Sequence, residues 1–130
     1  MIILDTHIRV RWIIEGEAAI PAATAKALQH EDRVAVSAIS CMEVMRLEKA
    51  GKLVLPAPAS DWIKAALEPA GVESLEVTCE IASRAVQLPD HHKDPADRII
   101  IATTLVLDAS LSSVDEKFPL YEDLRGRLVR

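Results

Sequence analysis

Asp5, Glu43, Asp97 and Asp115 are the side chains of this sequence best placed to do chemistry. Each follows a short strand-like stretch or opens a helical one. A carboxylate is a hard oxygen donor, and acids brought close together raise one another's pKa and destabilise the empty site. A dication such as Mg²⁺ or Mn²⁺ removes that penalty, because it prefers carboxylate and water oxygens. Zinc is not indicated. Cys41 and Cys79 are isolated from each other, and the adjacent His91 and His92 project in different directions and read as a loop pair.

Each acid also has a plain structural explanation. Asp5 suits the N-cap of a following helix, and Ser40 with Glu43 three residues on has the form of a capping box. Asp94 caps a helix that begins at Pro95, which puts Asp97 at the third position, among unpaired backbone N–H groups. One such coincidence is ordinary. Four in one chain are less easily dismissed.

The elements that must position these acids follow from local pattern. Met1 to Leu4 reads as a buried strand ending at Asp5, and the helix after it carries Ile8, Trp12 and Ile13. Arg9 and Arg11 are unusual in that helix and read as solvated surface, with phosphate contact as the sharper alternative. Pro21 to His30 is a second helix, and Arg33 to Ser37 alternates like a strand. A helix opens at Ser40, runs through Leu47 to Lys49, and stops at Gly51. Leu53 to Leu55 and the prolines at 56 and 58 form a connector. Ser60-Asp61 is expected to cap a helix from Trp62 to Glu68, Val72 to Val77 to form a strand, and Thr78 to cap Glu80 to Gln87.

The run Ile99 to Leu107 is rich in β-branched residues, yet the Asp94-Pro95 start and the span from Pro95 to Leu107 favour a helix. A helix so apolar on every side must be buried. Ala109 to Ser113 is a weak strand leading to Asp115, and Leu128 and Val129 supply a last edge strand. Strands alternating with helices predict a parallel sheet covered on both faces. In such sheets ligands gather at the carboxyl ends of the strands, where these acids lie.

Composition bounds the reading. At 130 residues the chain is expected to form one domain over 1–130. Half of it is hydrophobic but only 3% aromatic, so a core of Ile, Leu, Val and Ala is expected. The net charge of −5 argues against a non-specific nucleic-acid coat, though not against an enzyme that meets nucleic acid through bound cations. The cysteines read as buried and reduced. Met1 to Leu4 is too short for a signal peptide and no apolar run reaches spanning length, so a cytoplasmic protein with no membrane association is expected.

Met1-Ile2-Ile3-Leu4-Asp5-Thr6-His7, Val36-Ser37-Ala38-Ile39-Ser40-Cys41-Met42-Glu43, His91-His92-Lys93-Asp94-Pro95-Ala96-Asp97-Arg98 and Ser113-Val114-Asp115 resemble the successive motifs of the PIN-domain family. The likeness is closest to the VapC-type toxins of bacterial toxin–antitoxin pairs. It covers essentially the whole chain, and the Asp-Pro-x-Asp-Arg block is its most specific part.

The resemblance implies a three-layer α/β/α fold with a central, mainly parallel sheet, and a metal-dependent endoribonuclease that leaves 5′-phosphate and 3′-hydroxyl ends. Asp5, Glu43, Asp97 and Asp115 would be both catalytic and metal-binding, with one or two Mg²⁺ or Mn²⁺ ions. Thr6, Ser40 and Ser113 would orient the acids, and Asp94 would join through water. Arg98, Arg9, Arg11 or Lys93 would steady the RNA backbone, although for Arg98 a salt bridge to a neighbouring acid is the commoner outcome.

The implied partners are RNA, a VapB-like antitoxin and a second copy of the chain, with DNA reached only through the antitoxin. Two features depart from the family pattern: Arg9 and Arg11 replace apolar residues in the first helix, and Ala96 stands where a large aromatic is common.

Rival readings fit less well. A haloacid-dehalogenase phosphatase wants a second Asp two residues after the first, where this chain has His7, and a response regulator wants paired acids beside Asp5. A catalytically silent PIN-like interaction module, or an RNA-processing nuclease outside a toxin–antitoxin pair, are the alternatives that share the fold. Intact acids speak against the silent module.

Overall fold

The structure, a computed structural model, describes residues 1–67 and 71–130. Its strands are β1 (Ile2–Leu4), β2 (Val34–Ser37), β3 (Val72–Leu75), β4 (Ser110–Ser112) and β5 (Leu128–Val129). They form one sheet in the order β3-β2-β1-β4-β5, parallel throughout. The helices are α1 (Thr6–Glu15), α2 (Ala22–His30), α3 (Ile39–Lys49), α4 (Ala59–Leu67), α5 (Cys79–Gln87) and α6 (Pro95–Val106). This is the expected three-layer α/β/α arrangement with a parallel sheet.

Side-chain alternation along β1 divides the core. Ile2 and Leu4 face one layer with Ile8, Ile20, Val36 and Val72, while Ile3 faces the other with Ile81, Ile100, Ile101 and Leu111. All three β1 residues have no exposed surface, as a central strand covered on both faces requires.

α6 is the helix its local signals predict. Asp94 accepts from the backbone N–H of Ala96 at 2.8 Å, and Pro95 occupies the first turn. Its buried face runs from Ala96 to Thr104, and the hydroxyls of Thr103 and Thr104 donate to the carbonyls of Ile99 and Ile100. Bonding back to the preceding turn is what lets two threonines lie in the interior. The helix closes at Val106, and Leu107 emerges at the surface as its C-cap.

Several boundaries move. α4 begins at Ala59, which is buried, so Ser60 and Asp61 lie in its first turn and do not cap it; Glu68 of the expected helix lies outside the described residues. β3 stops at Leu75. Thr78 does cap α5, accepting from the N–H of Ile81 at 3.2 Å. Between Asp115 and Leu128 the chain makes two 3₁₀ turns, Phe118–Leu120 and Glu122–Leu124, that bury Phe118, Tyr121 and Leu124. The core is therefore not purely aliphatic. Cys79 is exposed and Cys41 half-buried, against the expectation that both are buried, and both are free thiols. Among the described residues no helix is long and apolar enough to cross a membrane.

Candidate functional site

The sheet order puts β1 between β2 and β4, so the carboxyl ends of these three strands share one edge. Leu4 pairs with Ser112, which sets Asp5 beside Ser113. The N–H of Asp5 donates to the carbonyl of Ser112 at 2.9 Å, and the hydroxyl of Ser113 donates to Asp5 Oδ2 at 2.7 Å. That hydroxyl also accepts from the N–H of Asp115 at 3.1 Å. Asp5 occupies the N-cap position of α1, yet its side chain makes no capping bond. It is buried, and its Oδ1 has no partner. Helix capping therefore does not explain this acid.

Nor does a capping box explain Glu43. α3 begins at Ile39, whose N–H donates to the hydroxyl of Ser37, so Ser40 already lies inside the helix. The Ser40 hydroxyl instead pairs with that of Thr6 at 2.7 Å, joining the first turns of α1 and α3. Glu43 lies one turn further along, and its Oε1 is buried without a hydrogen-bond partner. A buried carboxylate oxygen left unpaired is costly, which makes two of them at one edge of the sheet unusual.

Asp97 is the hub. One ligand atom each from Glu43, Asp94 and Asp97 lies within 4.8 Å of the other two, and the same holds for His92, Asp97 and Asp115. Burial, then the charges of Asp5, Glu43, Asp94 and Asp115, push the Asp97 carboxyl up to about 8. Burial likewise raises Asp5, against the stabilising bond from Ser113, and raises Glu43, with the charge of Asp5 adding to it. Asp97 thus stands within the field of Asp5, Glu43 and Asp115, the other three acids singled out in the sequence. Asp94 joins them while still capping α6.

His91 and His92 lie, as expected, in the loop between α5 and α6, but the His92 side chain is buried in the site. Its Nε2 lies 2.9 Å from Asp97 Oδ2 and 3.1 Å from Asp115 Oδ2. The available signal was its place two residues before the cap Asp94, from which a side chain folds back over the first turn of α6. His91 stays outside, its ring edge-on to Tyr121 at 5.0 Å.

The arginines separate. Arg9 is neither solvated nor placed for a phosphate: it is buried, its guanidinium donates to the carbonyl of Ala66, and it lies over the Trp12 ring at 5.1 Å. Burial pulls its pKa down to about 10. Arg98 donates to the carbonyls of Ala85, Val86, Leu88, Pro89 and His92, tying the end of α5 to the start of α6. Its pairing with exposed Asp90, at 3.5 Å, is secondary to that clamp. Arg11 alone of the three is exposed, beside His7, Leu53 and Val54 in a surface groove.

A family model described as PIN domain matches residues 2–124. Ribonuclease VapC22 of Mycobacterium tuberculosis (strain ATCC 25618 / H37Rv) is 33% identical over 105 residues, covering 80% of this chain and 78% of that protein. Two solved structures share the fold. One is VapBC2 from Rickettsia felis bound to a DNA fragment from its promoter, with a TM-score of 0.70 and 18% identity over 98% of this chain and 97% of that one. The other is DNA-bound VapBC from Salmonella typhimurium, with a TM-score of 0.71 and 16% identity over 98% of this chain and 95% of that one.

Proposed function

The chain belongs to the PIN-domain family, and from that premise we propose that it is a divalent-metal-dependent endoribonuclease whose catalytic acids are Asp5, Glu43, Asp97 and Asp115. The observation that carries the proposal is the pair of buried, unpartnered carboxylate oxygens, Asp5 Oδ1 and Glu43 Oε1, at the edge where Asp97 is pushed up to about 8. Stability offers no reason to keep such a group, because well-packed apolar residues serve a core at least as well as uncompensated charge. A hard cation offers one, and the carboxylate oxygens of Glu43, Asp94 and Asp97, which lie within 4.8 Å of one another, fit Mg²⁺ or Mn²⁺, as one ion or two.

Bound there, the cation would supply Lewis-acid polarisation of a phosphodiester and a water of lowered pKa. The chain's own part is geometric. β1 and β4 carry Asp5 and Asp115, and Ser113 joins them by one hydroxyl. The Thr6–Ser40 bond fixes α3, and with it Glu43, against α1. The Asp94 cap holds the first turn of α6 and so Asp97. Arg11 is the arginine of the three that remains free to meet an RNA backbone.

The likeness to a mycobacterial VapC ribonuclease and to the VapBC structures supports the narrower reading. In it, residues 1–130 act as one unit, a cytoplasmic toxin that dimerises and is silenced by a VapB-like antitoxin, with DNA reached only through that partner. The test is incubation of the purified chain with total cellular RNA in Mg²⁺, Mn²⁺ or EDTA, followed by mapping of the ends. Internal cuts with 5′-phosphates, abolished by EDTA, are expected. Equal cutting in EDTA would overturn the metal requirement, and no cutting with any metal would leave a silent interaction module.

A further inference from the structure

We infer that His92 is a positioning residue of this site: its Nε2–H holds the carboxylates of Asp97 and Asp115 in place, and it is not itself a metal ligand. The inference rests on the nuclease reading above.

His92 is fixed on every side. Its backbone N–H donates to the Tyr121 hydroxyl at 2.8 Å, and its carbonyl accepts from Arg98 at 2.9 Å. Its ring packs edge-on to Phe118, with centroids 5.9 Å apart. Its Nδ1 accepts from the N–H of Asp94 at 3.3 Å. That last bond decides the tautomer, because a ring whose Nδ1 accepts carries its proton on Nε2. The donor is aimed at Asp115 Oδ2, at 3.1 Å, with Asp97 Oδ2 2.9 Å from the same nitrogen. Ligation through Nε2 would require the proton on Nδ1 and so break the bond to Asp94.

The bridge has work that no other group does. Asp97 lies in the first turn of α6, whereas Asp115 lies in the loop after β4, so neither element fixes the other. Asp115 Oδ1 is already held by the N–H of Lys117 at 2.8 Å, which leaves Oδ2 to be set by His92. Among the described residues, no lysine or arginine pairs with Asp5, Glu43, Asp97 or Asp115. Each carboxylate oxygen that meets His92 keeps a second lone pair for a cation. The loop that carries His92 is clamped by Arg98 and Tyr121, so this ring ties Asp97 and Asp115 to a fixed part of the fold.

The experiment compares His92→Gln, His92→Asn and His92→Ala with the unaltered chain. A glutamine places an amide N–H at about the reach of Nε2, an asparagine only at that of Nδ1. Mn²⁺ affinity is read by calorimetry, the initial rate of cleavage on total cellular RNA, and the thermal midpoint in EDTA. The Ala and Asn variants should lose about 10–100-fold in Mn²⁺ affinity and rate, and Gln should recover most of it. A merely structural role predicts that Gln and Asn fall together along with their midpoints. Gln no better than Asn, or Ala at full rate, overturns the inference while leaving an active wild-type nuclease. A wild-type chain that neither binds Mn²⁺ nor cuts RNA overturns both readings.

Discussion

Ser113 and Asp5 are 108 positions apart in sequence, and the hydroxyl of the first donates to Oδ2 of the second at 2.7 Å. The bond exists because β1 and β4 are adjacent and in register, Leu4 opposite Ser112. Since Ser113 also receives the N–H of Asp115, one hydroxyl orients two acids. Ser113→Ala should leave both oxygens of buried Asp5 without a partner. The expected result is a loss of about 10–100-fold in metal affinity or cleavage rate, with about 1–3 kcal/mol lost from metal-free stability. Urea unfolding in EDTA and Mn²⁺ titration check the two parts separately.

Asp97 gives the site a pH signature. Its carboxyl is raised from 3.8 to about 8, so between those values the folded chain holds a proton that the unfolded chain has released. Stability from this group is therefore present at low pH and declines as pH rises from about 4 through about 8. Asp5 and Glu43 are raised too and push the same way. Asp97→Asn should abolish cleavage and remove the share of this slope that Asp97 contributes. In EDTA its thermal midpoint should draw ahead of the wild-type midpoint as pH rises across that window. Parallel curves at all pH values would contradict the crowding of charge around Asp97.

Metal should reverse the same penalty. A ligand that binds only the folded chain stabilises it by about 2.7 kcal/mol at a hundredfold excess over its Kd. Millimolar Mg²⁺ or Mn²⁺ should raise the thermal midpoint of the wild-type chain and leave that of Asp97→Asn nearly unmoved. An unchanged wild-type midpoint alongside full activity would mean that the metal arrives with the RNA and is not held by the protein.

The parts of this molecule that were legible in sequence are those with local signals. Asp94-Pro95 announces α6 against the β-branched run behind it, and the apolar Met1 to Leu4 announces β1. The strand–helix alternation was enough to place the acids at one edge. The errors that bear on the site have a common cause, because they concern side chains whose partners are distant. Ser40 looked like the cap for Glu43, but its partner is Thr6, 34 positions away. Arg9 looked like surface, but α4 lies over it and accepts its hydrogen bond from 57 positions away. The segment that buries Phe118, Tyr121 and Leu124 is built of 3₁₀ turns, so it shows neither a period of two nor a helical one. His92 lies in a loop as read, but it depends on that segment for its anchor, which is why its place among the acids was not legible.

Three arginines that look alike in sequence should behave differently when replaced. Arg98→Ala removes a fork that serves five backbone carbonyls, and should cost on the order of 3 kcal/mol of stability. Arg98→Lys should recover only part of this, because a point charge cannot match a planar fork. Arg9→Ala should also destabilise, by about 1–3 kcal/mol, through lost packing on Trp12 and the unpaired carbonyl of Ala66. Arg11→Ala, at an exposed position, should change stability by no more than about 0.5 kcal/mol. If it meets the RNA backbone, its loss should weaken RNA binding across sequences and reduce the salt slope by about 1. Urea midpoints and salt-dependent RNA binding, measured with an Asp97→Asn background to prevent cutting, separate these effects. An Arg11→Ala chain with wild-type affinity and salt slope would remove Arg11 from the path of the RNA, and an Arg98→Ala chain of wild-type stability would break the link between the clamp and the acid site.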